Sequence, residues 1–551
     1  MKSIRAMCLI GAVGILILSG AAFKYNGGEK YFEIAKNLDI FATLFKETNT
    51  YYVDEINPNQ MIRVGIDAML ADLDPYTNFI PEDEIEDFRT MTTGEYGGIG
   101  ALISKKNGKT LIVMPYKGYS AHKSGLRIGD EIVKIDGVEL KDRNANDIGK
   151  LLKGQANSTI LLTIKKYGSN ELKEVPLKRE IIKIDNVPFY GMVDDEIGYI
   201  KLSDFTSGAW KEVKEAASEL KSSGAKRLIL DVRDNPGGIL MESVNICNLF
   251  IPKDLEVVTT KGKIKELNRV YSALNTSLDT EIPMAVLTSN MSASAAEIVA
   301  GVIQDYDRGV LIGQKTYGKG LVQTTRPLSF NSHLKITTQK YYIPSGRCIQ
   351  AIDYSHRNED GSIGKIPDSL RVAFKTKNGR VVYDGGGITP DIELEKRNFA
   401  PITLSLISKG LLFDYATKYS FQNKKIASAK TFRLSDEEFQ KFVNWLSDKQ
   451  YDYTSQVELT IDELIAHAKN EKNYEDISDQ IVSLKSKLSH NKESDVQKFK
   501  DEIKMALEEE IVSRYYLQDG VIEASFDSDP DILAAIDVLK DSKKYDEILR
   551  R

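Results

Sequence analysis

Four textures of hydrophobic patterning follow one another along the chain. Between residues 31 and 88, Ile34, Leu38, Ile40, Phe41, Leu44 and Phe45 recur at three- and four-residue spacing, which predicts helix. "LDPYTNFIP" (Leu73 to Pro81) interrupts this pattern with two prolines and reads as a turn. From Gly94 the period shortens: "GEYGGIGALI", "TLIVMPY", "DEIVKIDG" and "STILLTIKKY" are strand-type runs separated by Gly and Asp turns. "NANDIGKLLKG", between the last two, predicts a short helix.

From about Ile182 to Glu395 strands and helices alternate. "RLILDV" and "MAVLTS" are continuous apolar strands, Ala209 to Ser222 is helical, and another helix starts near Ile239. This is the pattern of helices packed on a buried sheet. Loops that carry chemistry tend to follow strand ends in such sheets, and two qualify: Arg233 to Gly238 and Ser289 to Ser294. The remainder is helical and charged. In "SDEEFQKFVNWL", Ser435 is an N-cap and Phe439, Phe442, Val443 and Leu446 share one face. The expectation is a multidomain α/β chain with five segments: a leader over 1–23, a helical segment over 24–90, a small sheet domain over 91–182, an α/β core over 183–398 and a helical domain over 399–551.

Composition narrows the possibilities. At 551 residues the chain exceeds what one core covers, and 42% hydrophobic with 28% charged residues excludes wholesale disorder. A net charge of −6 gives no reason to expect nucleic acid. Lys2 and Arg5 precede an apolar run from Ala6 to Phe23. This fits a secretory signal, or an uncleaved anchor, because a span needs about 17–20 residues. Small residues at Ser19, Gly20, Ala21 and Ala22 offer a cleavage site, so both fates stay open. Either way export is expected, with membrane contact only through this segment if it is retained. Beyond Cys8 of the leader, Cys247 and Cys348 lack metal-ligand spacing and read as free thiols. No metal and no cofactor are expected.

The chemistry concentrates in "NMSASAAEIVA", Asn290 to Ala300. Ser294 and Glu297 before Ile298 and Val299 spell a capping box, which by itself needs no other role. The strand-end setting adds one. A hydroxyl at a helix N-terminus after a buried strand is exposed among outward N–H groups that stabilise an oxyanion. Ala295 is one candidate donor. Gly237 or Gly238 of "DNPGG", where glycine allows close backbone approach, is the other.

A serine nucleophile needs a base. Of the five histidines, His122 lies in the small sheet domain and His467 and His490 in the helical tail. His333 and His356 stay open but belong to no motif. Lysine is the alternative, in "GQKTYGKGLVQ". An ordinary lysine is deprotonated about once in 2,500 at pH 7, and burial shifts it toward the free amine. Lys319 enters the strand-type run "LVQTT", which would place Lys319, Leu321 and Gln323 on one side. The Gln323 amide would then orient the amine. Lys315 is the competing base.

Two resemblances follow. Tyr96-Gly97-Gly98-Ile99-Gly100, then "SAHKSGLRIGDEIVKIDG" and the helix, resemble a PDZ domain. The resemblance implies that backbone N–H groups of that loop bind a C-terminal carboxylate and that the peptide adds a strand to the sheet edge. "SASAAE" with "TYGKGLVQ" resembles the C-terminal processing peptidases, or tail-specific proteases, which are Ser–Lys enzymes with a PDZ domain. In that family the second serine of S-A-S is the nucleophile and the lysine of GKG follows it 25 positions later, as Ser294 and Lys319 do. Gln323 matches the glutamine that orients the lysine. "LDVRDNPGG", "LDPYTNFIP" with Thr77 in a serine position, "YYIPSGRCIQ" and "GGITPDI" match further motifs over residues 30–395. Ala296 departs from a serine common there, and the last 150 or so residues fall outside the resemblance.

The resemblance implies a ClpP/crotonase-like mixed-sheet core with an inserted PDZ domain. It also implies an exported serine endopeptidase, periplasmic or anchored to the inner membrane facing the periplasm. Its partners would be protein or peptide substrates with exposed C-terminal tails. Residues 399–551 are open to adaptor docking or self-association. The alternative is a non-catalytic PDZ scaffold that binds exported tails.

Overall fold

The computed structural model describes residues 31–356, 362–488 and 492–551. The Ala6–Phe23 run and His490 lie outside the described residues. Among those described, no helix is long and apolar enough to cross a membrane. The chain divides into two units, one ending at Phe79 and the other running from Ile80 to Arg551.

In the first unit, residues 31–51 and Pro58–Ala71 are helical. Asn57 caps the second helix by accepting the Gln60 N–H at 3.1 Å, and Pro58 occupies its first turn, where a missing N–H costs nothing. The apolar spacing correctly predicts the first helix, yet Leu38, Phe41 and Leu44 are exposed. The "LDPYT" turn is held by Asp74, whose carboxylate accepts the N–H groups of Tyr76 and Thr77 and the Thr77 hydroxyl at 2.8–3.0 Å.

The second unit starts earlier than the expected boundary at residue 90. The helix Ile85–Thr93 is tied into it: the Thr92 carbonyl accepts the Ser207 N–H, and Asp87 pairs with Lys153. Glu95–Gly98 then pairs antiparallel with Glu180–Lys183, a two-stranded stem that carries the PDZ-like domain. That domain's sheet has the strand order Ala101–Lys106, Lys109–Pro115, Glu131–Ile135, Thr159–Lys165, Leu172–Lys178. The helix Ala145–Leu152, capped by Asn144, buries Ile148 and Leu152 against it.

The central sheet is mixed. Phe189–Met192 pairs antiparallel with Ile197–Lys201; Arg227–Asp231, Met284–Thr288, Val310–Gly313 and Ile392–Glu393 then follow in parallel. Met284–Thr288 is buried throughout, as a strand covered on both faces must be. On one face lie the helices Ala209–Ser222, Leu240–Phe250 and Ala295–Asp305. Tyr199, Ile229, Leu287 and Ile312 look the other way.

What covers that second face departs from the expected boundary at residue 398. Phe526 and the helices Pro530–Lys540 and Ser542–Leu549 pack on it through Ile532, Val538, Leu539, Tyr545 and Leu549. The Tyr545 hydroxyl accepts the Met284 N–H at 3.1 Å, in the middle of the sheet. The end of the chain is therefore the second helical layer of the α/β core. The remaining C-terminal helices have a core of their own, around Phe439, Phe442, Leu446, Leu507 and Ile511. They also reach the PDZ-like domain, where Phe413 packs on Leu111 and Ile128.

Candidate active site

The strand Met284–Thr288 ends in the Ser289–Ser294 turn, and the helix Ala295–Asp305 starts at once. The two serines separate cleanly. Ser292 is fully buried; its hydroxyl donates to the Val232 carbonyl at 2.7 Å and accepts the Ser289 N–H at 2.9 Å. It is a strut between the two strand-end loops. Ser294 is half-buried and has φ 55°, ψ −113°, a backbone state that non-glycine residues occupy only when neighbours enforce it. Here the enforcement is visible: Ala293 N–H donates to the Asn235 carbonyl at 2.9 Å, the Tyr341 hydroxyl donates to the Ser294 carbonyl at 3.1 Å, and Ser294 N–H donates to Glu297 at 2.9 Å.

Glu297 does more than the capping role its spacing suggests. Fully buried, it also accepts the Thr316 hydroxyl at 2.6 Å and the N–H groups of Gly318 at 2.7 Å and Lys319 at 2.8 Å. One carboxylate thus fixes the backbone at both Ser294 and Lys319. Burial pushes its pKa up, against the opposing pull of these hydrogen bonds. The S-x-x-E spacing is the one sequence signal for Glu297, and it points to capping alone.

The "DNPGG" loop distinguishes its two glycines. Gly237 N–H donates to the side-chain oxygen of Asn235 at 2.8 Å, so Gly237 is not a free oxyanion donor and that expectation is corrected. Among the described residues, the N–H groups of Gly238 and Ala295 have no protein acceptor. Gly237 instead is the point of closest approach. At φ 93°, a Cβ there would lie 2.8 Å from the Ala295 nitrogen and 2.6 Å from the Ala293 oxygen.

Lys319 precedes the strand Leu321–Pro327 rather than lying in it, and a β-bulge falls between Val322 and Gln323. The expected alternation of Lys319, Leu321 and Gln323 on one side therefore fails as geometry, since the bulge resets the pleat. The residues still converge. Ser294, Ala295, Gly237, Gly238, Lys319 and Gln323 all line one cavity of about 660 Å³. Gln323 gives its amide N–H to the Thr337 hydroxyl at 3.1 Å, which leaves its carbonyl oxygen as the acceptor.

No histidine lines this cavity among the described residues. Lys315 does not line it either. Lys335 does: it is a second cavity lysine that the motifs did not single out, and burial lowers its pKa. Ile239, Leu240 and Ile298 make much of the remaining wall apolar.

The loop Tyr96–Gly100 lies elsewhere, where the stem enters the PDZ-like sheet. Gly97 presses against the end of the neighbouring helix, its carbonyl accepting the Gly154 N–H at 3.1 Å. Ile99 is buried and Gly100 takes φ 71°. The strand that follows, Ala101–Lys106, is an edge of its sheet and open to an added strand. The stem itself reaches the cavity, which Gly94 and Ile184 help to line.

With this geometry in place, the sequence comparisons are specific. Residues 196–356 match peptidase family S41, residues 112–166 a PDZ domain, and residues 402–539 the C-terminal helical domain of a probable PDZ-protease. The last match corrects the expectation that the final 150 or so residues fall outside the resemblance. The carboxy-terminal-processing protease of Bartonella bacilliformis is 33% identical over 345 residues, 62% of this chain and 78% of that protein. A probable CtpA-like serine protease of Staphylococcus aureus is 34% identical over 316 residues, 57% of this chain and 62% of that one. Among solved structures, the photosystem II D1 C-terminal processing protease is similar at 26% identity and a TM-score of 0.35, covering 64% of this chain and 92% of its own. The chain belongs to the carboxy-terminal-processing proteases of peptidase family S41. It is a serine-type peptidase, which sets aside the non-catalytic scaffold.

Proposed function

We propose that this peptidase is an exported endopeptidase that takes unstructured protein C-termini and cuts them by a Ser–Lys mechanism. One observation supports the mechanism above the others: Ser294, Lys319, Gln323 and the unpartnered N–H groups of Ala295 and Gly238 share a cavity that no histidine lines among the described residues. Lys319, as the neutral amine, takes the proton of the Ser294 hydroxyl as Oγ attacks the scissile carbonyl carbon. Gln323 accepts a hydrogen bond from the amine and orients it. The N–H groups of Ala295 and Gly238 stabilise the oxyanion, helped by the N-terminus of the helix Ala295–Asp305. Collapse breaks the C–N bond, and the Lys319 ammonium returns its proton to the departing amine. Water, deprotonated by the same lysine, attacks the acyl-enzyme and frees Ser294.

The PDZ-like domain supplies selection. A tail carboxylate caught by backbone N–H groups of the Tyr96–Gly100 loop and a strand added along Ala101–Lys106 would hold the substrate beside the stem that reaches the cavity. The apolar wall suits uncharged side chains. The core is read as ClpP/crotonase-like, and the basic flank and apolar run of the leader are the grounds for export.

The test is cleavage of an unfolded reporter whose tail is apolar or ends in Asp, by residues 24–551 and by Ser294→Ala and Lys319→Ala. Loss of cutting in both variants with preference for the apolar tail is expected. Full activity in Ser294→Ala sinks the mechanism, and indifference to the tail sinks the selection step.

A further inference from the structure

The root of the Gly238 loop is held from a distant part of the chain. Arg233 directly precedes "DNPGG", and its guanidinium is divided between Asp231 on one side and Asp529 with Asp531 on the other. Nε and Nη2 bind Asp231 at 2.7–3.1 Å, while Nη1 donates to Asp529 at 2.9 and 2.8 Å and to Asp531 at 3.0 Å. The two sides differ in what they can hold. Asp231 lies two residues away on the same strand end, so it fixes the arginine rotamer but moves with the loop. Asp529 and Asp531 come from 296 and 298 positions further on. They sit on the helix that covers the second face of the sheet.

That helix is a rigid mount. Asp529 is its N-cap, accepting the N–H groups of Asp531 at 2.9 Å and Ile532 at 3.2 Å. Ile532, Ala535 and Val538 are buried on the sheet beneath, and Phe526 meets the Tyr199 ring edge-on with centroids 5.2 Å apart. The Tyr199 hydroxyl in turn donates to Asp231 at 2.6 Å. Arg233 is 16% exposed, and Asp529 and Asp531 are 20% and 12% exposed. Water screens these bonds less than surface pairs, and the bidentate arrangement sets direction as well as strength.

We infer that Asp529 and Asp531 are positioning residues for peptide-bond cleavage: acting through Arg233, they hold the loop that presents the Gly238 N–H to the oxyanion. The inference rests on the proposed role of Gly238 as an oxyanion donor. It gives the last helices of the chain a part in the reaction, although they touch no substrate. Charge is nearly balanced across the cluster, with Arg233 and Lys201 facing three aspartates. Removing two carboxylate charges leaves Nη1 of a half-buried guanidinium with at most neutral acceptors, and the loop root gains freedom.

The test uses the full chain with Asp529→Asn/Asp531→Asn, in which the Asn oxygen still caps the helix. Steady-state cleavage of a short peptide gives kcat and KM. A peptide aldehyde of the same sequence reports the oxyanion site directly. Ser294 Oγ adds to its carbonyl carbon, the proton passes to Lys319, and the new oxyanion occupies the hole. The expected result is a fall in kcat of about tenfold to hundredfold, short of the 10²–10³ typical of losing a donor outright. KM should stay within about twofold, and aldehyde affinity should fall in step with kcat.

If the double variant fails to fold, Asp531→Asn alone is used, since that carboxylate does not cap the helix; a drop of a few-fold in kcat and aldehyde affinity is then expected. Unchanged kcat and aldehyde affinity in a folded variant overturns the inference. A parent enzyme that binds the aldehyde no more tightly than the matching amide overturns instead the assignment of the oxyanion donors. A rise in KM together with falls in kcat and thermal stability assigns the aspartates a purely structural role and equally rejects the inference.

Discussion

Replacing Gly237 by Ala tests the approach of the two strand-end loops. Gly237 has φ 93°, a region that costs an L-residue about 1–2 kcal/mol. The added methyl carbon would lie 2.6 Å from the Ala293 oxygen and 2.8 Å from both the Ala295 nitrogen and the Ser294 Cβ. Ordinary contact begins at 3.4 Å, so the loops must separate by 3.4 − 2.8 = 0.6 Å to 3.4 − 2.6 = 0.8 Å. Each of the three clashing atoms belongs to the segment carrying Ser294 and the Ala295 N–H. The opening therefore falls between the two proposed oxyanion donors, and hydrogen bonds to an oxyanion do not survive such a displacement at full strength. We expect kcat to fall about 10²–10³-fold, the effect of losing one donor. The accompanying stability loss should be about 1–3 kcal/mol, from backbone strain plus overpacking. Peptide hydrolysis gives the first number and urea unfolding the second. Activity within threefold of the parent in a folded Gly237→Ala protein would refute the close packing of these loops as a requirement of the reaction.

Glu297→Gln keeps the volume but not the charge, and puts an NH₂ group against donors on one side. Two of its four hydrogen bonds are lost, each worth about 1.5–3 kcal/mol to a charged acceptor, and urea unfolding should report about 3–6 kcal/mol with activity lost in parallel. Asp231→Asn removes the fully buried carboxylate of the ion pair with the partly buried Arg233 and should cost about 3–5 kcal/mol. The Arg233 and Lys201 charges hold the Asp231 pKa well below the usual carboxylate range. A depressed folded pKa gives stability that is fully present above the unfolded value of about 3.9 and lost only as pH falls through the folded one. The difference between parent and variant should thus stay constant from pH 5 to 7 in urea titrations. A difference that shrinks in this window contradicts the assignment. Tyr545→Phe leaves the Met284 N–H without its acceptor in the sheet interior and should lower stability by about 1–3 kcal/mol by thermal or urea unfolding. No loss would mean that this hydroxyl does not anchor the last helix.

Much of the core is legible because its chemistry is local. The strands Arg227–Asp231 and Met284–Thr288 are continuous apolar runs, as parallel strands covered on both faces must be, and Ser294 and Lys319 sit in motifs with fixed spacing. Other features depend on distant partners. The amphipathic pattern of Pro530–Lys540 says that one face is buried but not that the surface beneath is the sheet of the protease core. No local signal pairs Arg233 with Asp529. Gly237 and Gly238 look alike in "DNPGG", and only the Asn235 side chain separates a consumed N–H from a free one. The bulge at Val322/Gln323 likewise comes from the register with the strand His333–Tyr342.

The site of acylation decides whether Ser294 is the nucleophile and Lys319 its base. Enzyme turning over an activated peptide ester is quenched in acid, and the acyl group is located by peptide mass mapping. An ester on Ser294 is expected, absent from Ser294→Ala and formed far more slowly in Lys319→Ala. An acyl group on another side chain, or an unchanged rate of acylation without Lys319, would contradict it.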